Sequence, residues 1–170
     1  MSAEQDLQLL YGLSAVGTPY AKPIVLAEIS NAHAPGSSII FPMIVDSGAD
    51  FTCMPREVAD QIGHNFEAGN EVPLIGVSGQ AKARRHGMKI RIVGPGVSAA
   101  SVNDKDIIPC TWTIEVTVCE PLRNVGLFGC HDFLKDWDFR LKMSQSVFYL
   151  IPITPAVRKS VKSWKKLSQR

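Results

Sequence analysis

The sequence predicts one mainly β domain carrying one or two short helices. Three observations lead there. Apolar runs are short and stop at turn residues, as in Ile39–Val45 (IIFPMIV) before Asp46-Ser47-Gly48. Elsewhere apolar and polar residues alternate, with Met88, Ile90 and Ile92 set against Lys89 and Arg91. Helical apolar spacing is sustained only near the C-terminus, at Val157, Val161, Trp164 and Leu167. A chain of 170 residues suits one core, and no internal repeat divides it.

Taken in order, Ala21–Ser30 alternates loosely and breaks at the turn-rich NAHAPGSS. Ile39–Val45 reads as a strand buried on both faces, with Pro42 pointing to an edge or a strand start. Pro55 through Gly63 brackets a short helix, proline at its start and glycine past its end. Val72–Val77 and Gln80–Val93 read as the arms of a long hairpin with Ser78-Gly79 at its tip. Gly94–Asp106 is a loop or insertion without a core of its own. Ile107–Val118 is predicted as a strand, Val125–Phe128 as a short one ended by Gly129, and His131–Lys135 as a helical turn. Asp136–Leu141 then pairs through MSQS with Val147–Ile151. Trp112 and Trp137, both in strands, are assigned to the core.

The formal charge of +2 divides unevenly. Residues 156–170 hold six cations and no acid, which leaves 12 cations against 16 acids, a net −4, in residues 1–155. An acidic body argues against a whole-domain nucleic-acid binder. Cys53, Cys110, Cys119 and Cys130 form no CxxC pair and no zinc-like spacing with His33, His64, His86 and His131. Reduced, mostly buried thiols are expected, and solvated positions for His33, His64 and His86. No stretch reaches the ~18 apolar residues of a membrane helix. The first residues carry Glu4 and Asp6 rather than a basic leader. A cytoplasmic location is the expectation.

The sharpest chemical signal is Ile44-Val45-Asp46-Ser47-Gly48-Ala49-Asp50. An apolar strand delivers a carboxylate to its end, beside a hydroxyl for support and a glycine that admits another backbone. A plain strand-to-turn junction uses the same residues, and on these residues alone both readings stand.

In order along the chain, Asp46–Ala49, the hairpin Pro73–Arg84 and Leu127-Phe128-Gly129 with Asp132-Phe133-Leu134 after it are similar to three motifs of one family. The sequence resembles the retropepsin-like aspartic proteases, the retroviral and retrotransposon enzymes with their bacterial and cellular relatives. The resemblance spans roughly residues 20–152, with 1–19 as an N-terminal extension and 153–170 as a basic amphipathic tail. It implies a closed, barrel-like β domain with a flap hairpin, active as a homodimer because the chain has a single Asp-Ser-Gly. It further implies an aspartic endopeptidase acting on an extended peptide or polyprotein, without metal or cofactor. In that reading Asp46 is catalytic, one from each subunit, and Ser47, Gly48 and Ala49 support it. Asp50, Gly76, Val77, Ser78, Gly79, Leu127 and Gly129 contact substrate, Gly76–Gly79 forming the flap tip. Val45, Cys53 and Ile75 are further wall positions, each equally suited to plain core. The rival is a dimeric module of the same fold that binds peptide without cutting it.

One departure stands out. Retroviral members follow the second glycine with an arginine that pairs with the acid at Asp50's position, and here Cys130-His131-Asp132 follows instead. His131 or a distant arginine such as Arg123 takes that role, or the brace is absent. The basic tail has three readings: a helix packed on its own domain or its dimer mate, an attachment to nucleic acid or an anionic surface, or a flexible extension.

Overall fold

A computed structural model describes residues 7–34, 36–76 and 79–168. Its strands are β1 (Leu9–Gly12), β2 (Ile24–Asn31), β3 (Ser38–Val45), β4 (Cys53–Pro55), β5 (Asn70–Gly76), β6 (Gly79–Ile92), β7 (Trp112–Cys119), β8 (Gly126–Phe128), β9 (Trp137–Lys142) and β10 (Val147–Pro152). Two helices accompany them, α1 (Arg56–Gln61) and α2 (Pro155–Ser168).

Six strands close on themselves in the order β2-β3-β8-β4-β7-β6, since β6 pairs back onto β2 from Ala27↔Ile92 to Asn31↔Met88. Closure leaves fewer open edges and turns one face of each strand inward. Val25, Ala27, Ile29, Met88, Ile90 and Val116 are almost wholly buried there. β5 pairs only with β6, so it stands outside the closed set as the free arm of a hairpin. Pro42 lies mid-strand rather than at a start, one residue before β8 begins pairing with β3 at Met43. The proline is tolerated because the second edge of β3 is open there.

A second sheet, β1-β10-β9, joins residues near both ends of the chain. Its inner face stacks Phe148 on Tyr11 with ring centroids 5.1 Å apart. Between the two sheets Phe128 lies flat on Phe133, centroids 3.7 Å apart, with Trp112 and Trp137 edging the pair. Both tryptophans are core, as the sequence suggests.

α1 starts after Pro55 and ends before Gly63, whose φ of +83° is the left-handed conformation that stops a helix cheaply only at glycine. α2 packs on its own domain through Val157, Val161 and Trp164. The Trp164 ring covers Gly94, where a Cβ would fall 2.5 Å from the indole Cη2, and its Nε1 donates to the Lys105 carbonyl at 3.0 Å. The 94–106 segment, coreless in itself, is thus held by α2.

Three expectations need correction. The strand predicted from Ile107 starts at Trp112: Ile107 and Ile108 are buried, but Pro109 interrupts the ladder and they pack as loop residues. Residues 7–19, grouped above with an extension, include β1, which places Leu9 and Tyr11 in the core. The histidines are not all solvated. His86 is buried and His64 half-buried, their rings 4.8 Å apart, and of those three only His33 is exposed.

Candidate active site

The position of Asp46 follows from strand order. β3 and β4 flank β8, parallel and antiparallel to it respectively. The chain leaving β3 at Val45 must therefore arch over the end of β8 before entering β4. Asp46 opens that arch, and its N–H donates to the Phe128 carbonyl at 3.1 Å, the last rung between β3 and β8. Its carboxylate is half-buried and accepts from the Gly48 N–H on Oδ1 at 2.9 Å. A Cβ on Gly48 would press to 3.2 Å of that same oxygen, so glycine suits this close turn. Ser47 and Gly48 are exposed at the crest, and the Ala49 N–H returns to the Asp46 carbonyl at 3.2 Å.

The chain after β8 underpins the arch. Gly129 passes beneath Phe51, where a Cβ would stand 2.5 Å from the Phe51 carbonyl oxygen and still closer to its carbon. The Cys130 N–H donates to the Ala49 carbonyl and the His131 N–H to that of Asp50, both at 2.9 Å. The Cys130 thiol donates to the Ser47 carbonyl at 3.3 Å. Deeper in, the buried Asp132 carboxylate accepts from the Thr52 N–H at 2.8 Å and the Thr52 hydroxyl at 2.6 Å. Each bond to a charged acceptor is worth about 1.5–3 kcal/mol net. Burial, then Cys119, Asp132 and Asp46 in turn, push the Cys53 thiol up to about 12. That thiol stays protonated and inert at neutral pH.

Thr52 and Asp132 are the supports that the sequence motif left unassigned. They lie 80 positions apart, and the only local signal is a polar Thr52 wedged between Phe51 and the buried Cys53-Met54. The missing arginine also finds its answer. Arg123 pairs with Glu57, and the His131 ring lies 5.5 Å from that of Phe51. The Phe51 ring also carries the Arg85 guanidinium at 4.7 Å. Among the described residues Asp50 makes no side-chain hydrogen bond or ion pair, and Thr52–Asp132 with the Phe51 stack braces the loop instead.

The arch therefore gathers Asp46, Ser47, Gly48, Ala49 and Asp50 over Gly129, with half-buried Leu127 paired to Ile44 and Cys53 below. Gly76 and Gly79 pair across the end of the β5–β6 hairpin, while Val77 and Ser78 lie outside the described residues. Ile75, next to that end, is 75% exposed. Two cavities of about 350 and 330 Å³ occur elsewhere on the surface, and neither is lined by Asp46. Among the described residues no group of three or more His, Cys, Asp or Glu is arranged to hold a metal ion.

The architecture aligns with the crystal structure of a retropepsin-like aspartic protease from Rickettsia conorii, at a TM-score of 0.54 and 15% identity over 84% of this chain and 98% of that one. The fold is retropepsin-like. A looser likeness, TM-score 0.41 and 13% identity over 78% of this chain and 95% of the other, is to the retroviral protease-like domain of Ddi1 from Leishmania major, too loose to add to that assignment. No protein-family model and no curated protein sequence matches the chain. At these identities the retropepsin-like likeness is one of architecture, and the residues of the arch rest on the geometry above. No helix among the described residues is long and apolar enough to cross a membrane.

Proposed function

We propose that the protein is an aspartic endopeptidase whose active site is shared by two copies of the chain. The observation that carries this reading is the Asp46 arch: a carboxylate at the end of a barrel strand, held by Gly48 and underpinned by Gly129 and Thr52–Asp132 in a retropepsin-like fold. One chain supplies one such carboxylate, so a catalytic pair needs a second copy.

In the dimer, the two Asp46 carboxylates meet across a two-fold axis. At hydrogen-bonding distance both cannot ionise cheaply, so they share one proton, and their titration belongs to the pair. The ionised member takes a proton from a water between them as it attacks the scissile carbonyl carbon. The protonated member donates to the carbonyl oxygen. Ser47 braces the pair, Gly48 and Asp50 engage the substrate backbone, and the hairpin ending at Gly76–Gly79 closes over an extended peptide. Leu127 forms part of the wall. No cofactor enters this scheme.

The test is cleavage of a diverse peptide library between pH 4 and 7 by the parent chain and by Asp46→Asn. Cleavage lost in the variant supports the reading. Peptide binding without cleavage in both proteins replaces it with the non-cutting module. Specific activity that does not fall on dilution through the monomer–dimer transition removes the shared pair.

A further inference from the structure

Three histidines distant in sequence converge where the β5–β6 hairpin meets the barrel. His33 follows β2, His64 follows α1, and His86 lies in β6. They line one open cavity of about 330 Å³ with Arg85 and Glu115. A Cβ on Gly87 would lie 3.1 Å from His33 Cδ2 and 3.2 Å from Glu115 Oε1, so both side chains lean over that glycine. Three imidazoles and a carboxylate suggest a metal centre, yet their nitrogens are not arranged around a common point. His86 Nε2 is engaged with the Phe66 carbonyl at 3.2 Å, and His64 Nδ1 with Asn31.

The contact between His64 and Asn31 has a fixed polarity. The His33 backbone N–H can only donate, and it donates to Asn31 Oδ1 at 2.8 Å. That sets the amide so that its NH₂ faces His64 Nδ1 at 3.5 Å. Nδ1 must then be the acceptor, and the ring is neutral with its proton on Nε2. A second proton on Nδ1 would set donor against donor and place a cation beside His86. His64 Nε2 is itself buried, with no hydrogen-bond partner among the described residues.

We propose that His64, with His33 and His86 around it, is a proton-operated latch at the root of the β5–β6 hairpin. Neutral, it ties the turn after β2 to the segment that launches β5. Protonated, it must leave Asn31, and residues 64–69, which run from α1 into β5, leave with it. The charged and titratable groups facing it are His33 from the β2 turn, Arg85 and His86 from β6, and Glu115 from β7. Among these charged groups only Glu115 favours the protonated ring, and it is exposed, so water screens its pull; the Gly87 backbone favours it as well. Burial first, then His86 and His33, hold the His64 imidazole below the ordinary histidine range, against opposing pulls from the Gly87 backbone and Glu115.

The sign follows from that depression. A released His64 takes up a proton near the ordinary histidine value, about 6.5, whereas the latched one resists it. The latch is at full strength above that pH and weakens as pH falls below it. At pH 5 most carboxylates are still ionised, so histidine dominates the change.

The inference stands independently of peptide cleavage, and its test reads structure rather than activity. Hydrogen-exchange protection factors of residues 70–75 and 83–87 should fall by up to about thirty-fold between pH 7.5 and 5. Those of β9 and β10 should hold, and His64→Gln should flatten the response of the hairpin root. Equal protection at both pH values in the parent chain, or an unchanged response in His64→Gln, overturns the latch. Should the variant not fold, the imidazole resonance of His64 in the parent chain decides. Titration well below 6.5 supports the proposal, and titration at or above it ends it.

Discussion

The Asp46 arch and the outer half of the β5–β6 hairpin are held in opposite ways. The arch is tied from below by three backbone N–H donors, from Phe51's neighbour Thr52 and from Cys130 and His131, and by a buried hydroxyl–carboxylate contact. Beyond Ala83 the hairpin's ladder has only its own two arms: β7 pairs β6 from Ala83 to Ile90, while the strand pairing of Gly79–Lys82 is with β5 alone, and the Lys82–Glu67 ion pair adds a side-chain tie there. In the proposed protease, a reacting carboxylate gains from having no freedom, whereas a cover that admits a peptide needs some. On that reading the two segments would divide those requirements between them.

The largest effect that sharpens this contrast is chemical. Asp46→Asn should lower peptide cleavage by about 10²–10⁴-fold, measured as kcat/KM, because general acid–base assistance is lost. The thermal midpoint should stay put, since the asparagine Oδ1 still accepts from Gly48. Next, Gly129→Ala should cost about 1–3 kcal/mol in urea unfolding, because its Cβ lands on backbone that cannot swing aside. Thr52→Val should cost about 1–2 kcal/mol by the same measurement and leave Asp132 with an unanswered oxygen. Smallest of all, Ile75→Ser on the free hairpin should change stability by less than about 0.5 kcal/mol. An Ile75→Ser cost as large as that of Gly129→Ala would break the comparison outright.

What could be read from the sequence was whatever is written locally. The β3 run ending in Asp46, the hairpin arms and the glycine after β8 carry their own periodicity or punctuation, and the structure places them so. β1 escaped because four residues with two inward side chains do not make a pattern. Ile107-Ile108 misled because a buried apolar pair looks the same in a loop as in a strand. Thr52 with Asp132, Arg85 on Phe51 and the grouping of His33, His64 and His86 join residues tens of positions apart. No window along the chain contains both partners, so only the closed barrel reveals them.

The pairing of β1 with β10 has a consequence for biosynthesis. Leu9 meets Leu150 and Gly12 meets Val147, so β1, once made, waits for β10 far downstream. At about 5–20 residues per second, roughly 7–30 s of translation separate the two. Through that interval Leu9 and Tyr11 have no β10 to pack against, and the nascent chain carries an unpaired strand edge. Contacts of such long range also slow folding after release. A chaperone that shields β1 would act where this topology leaves the newborn chain most open to aggregation.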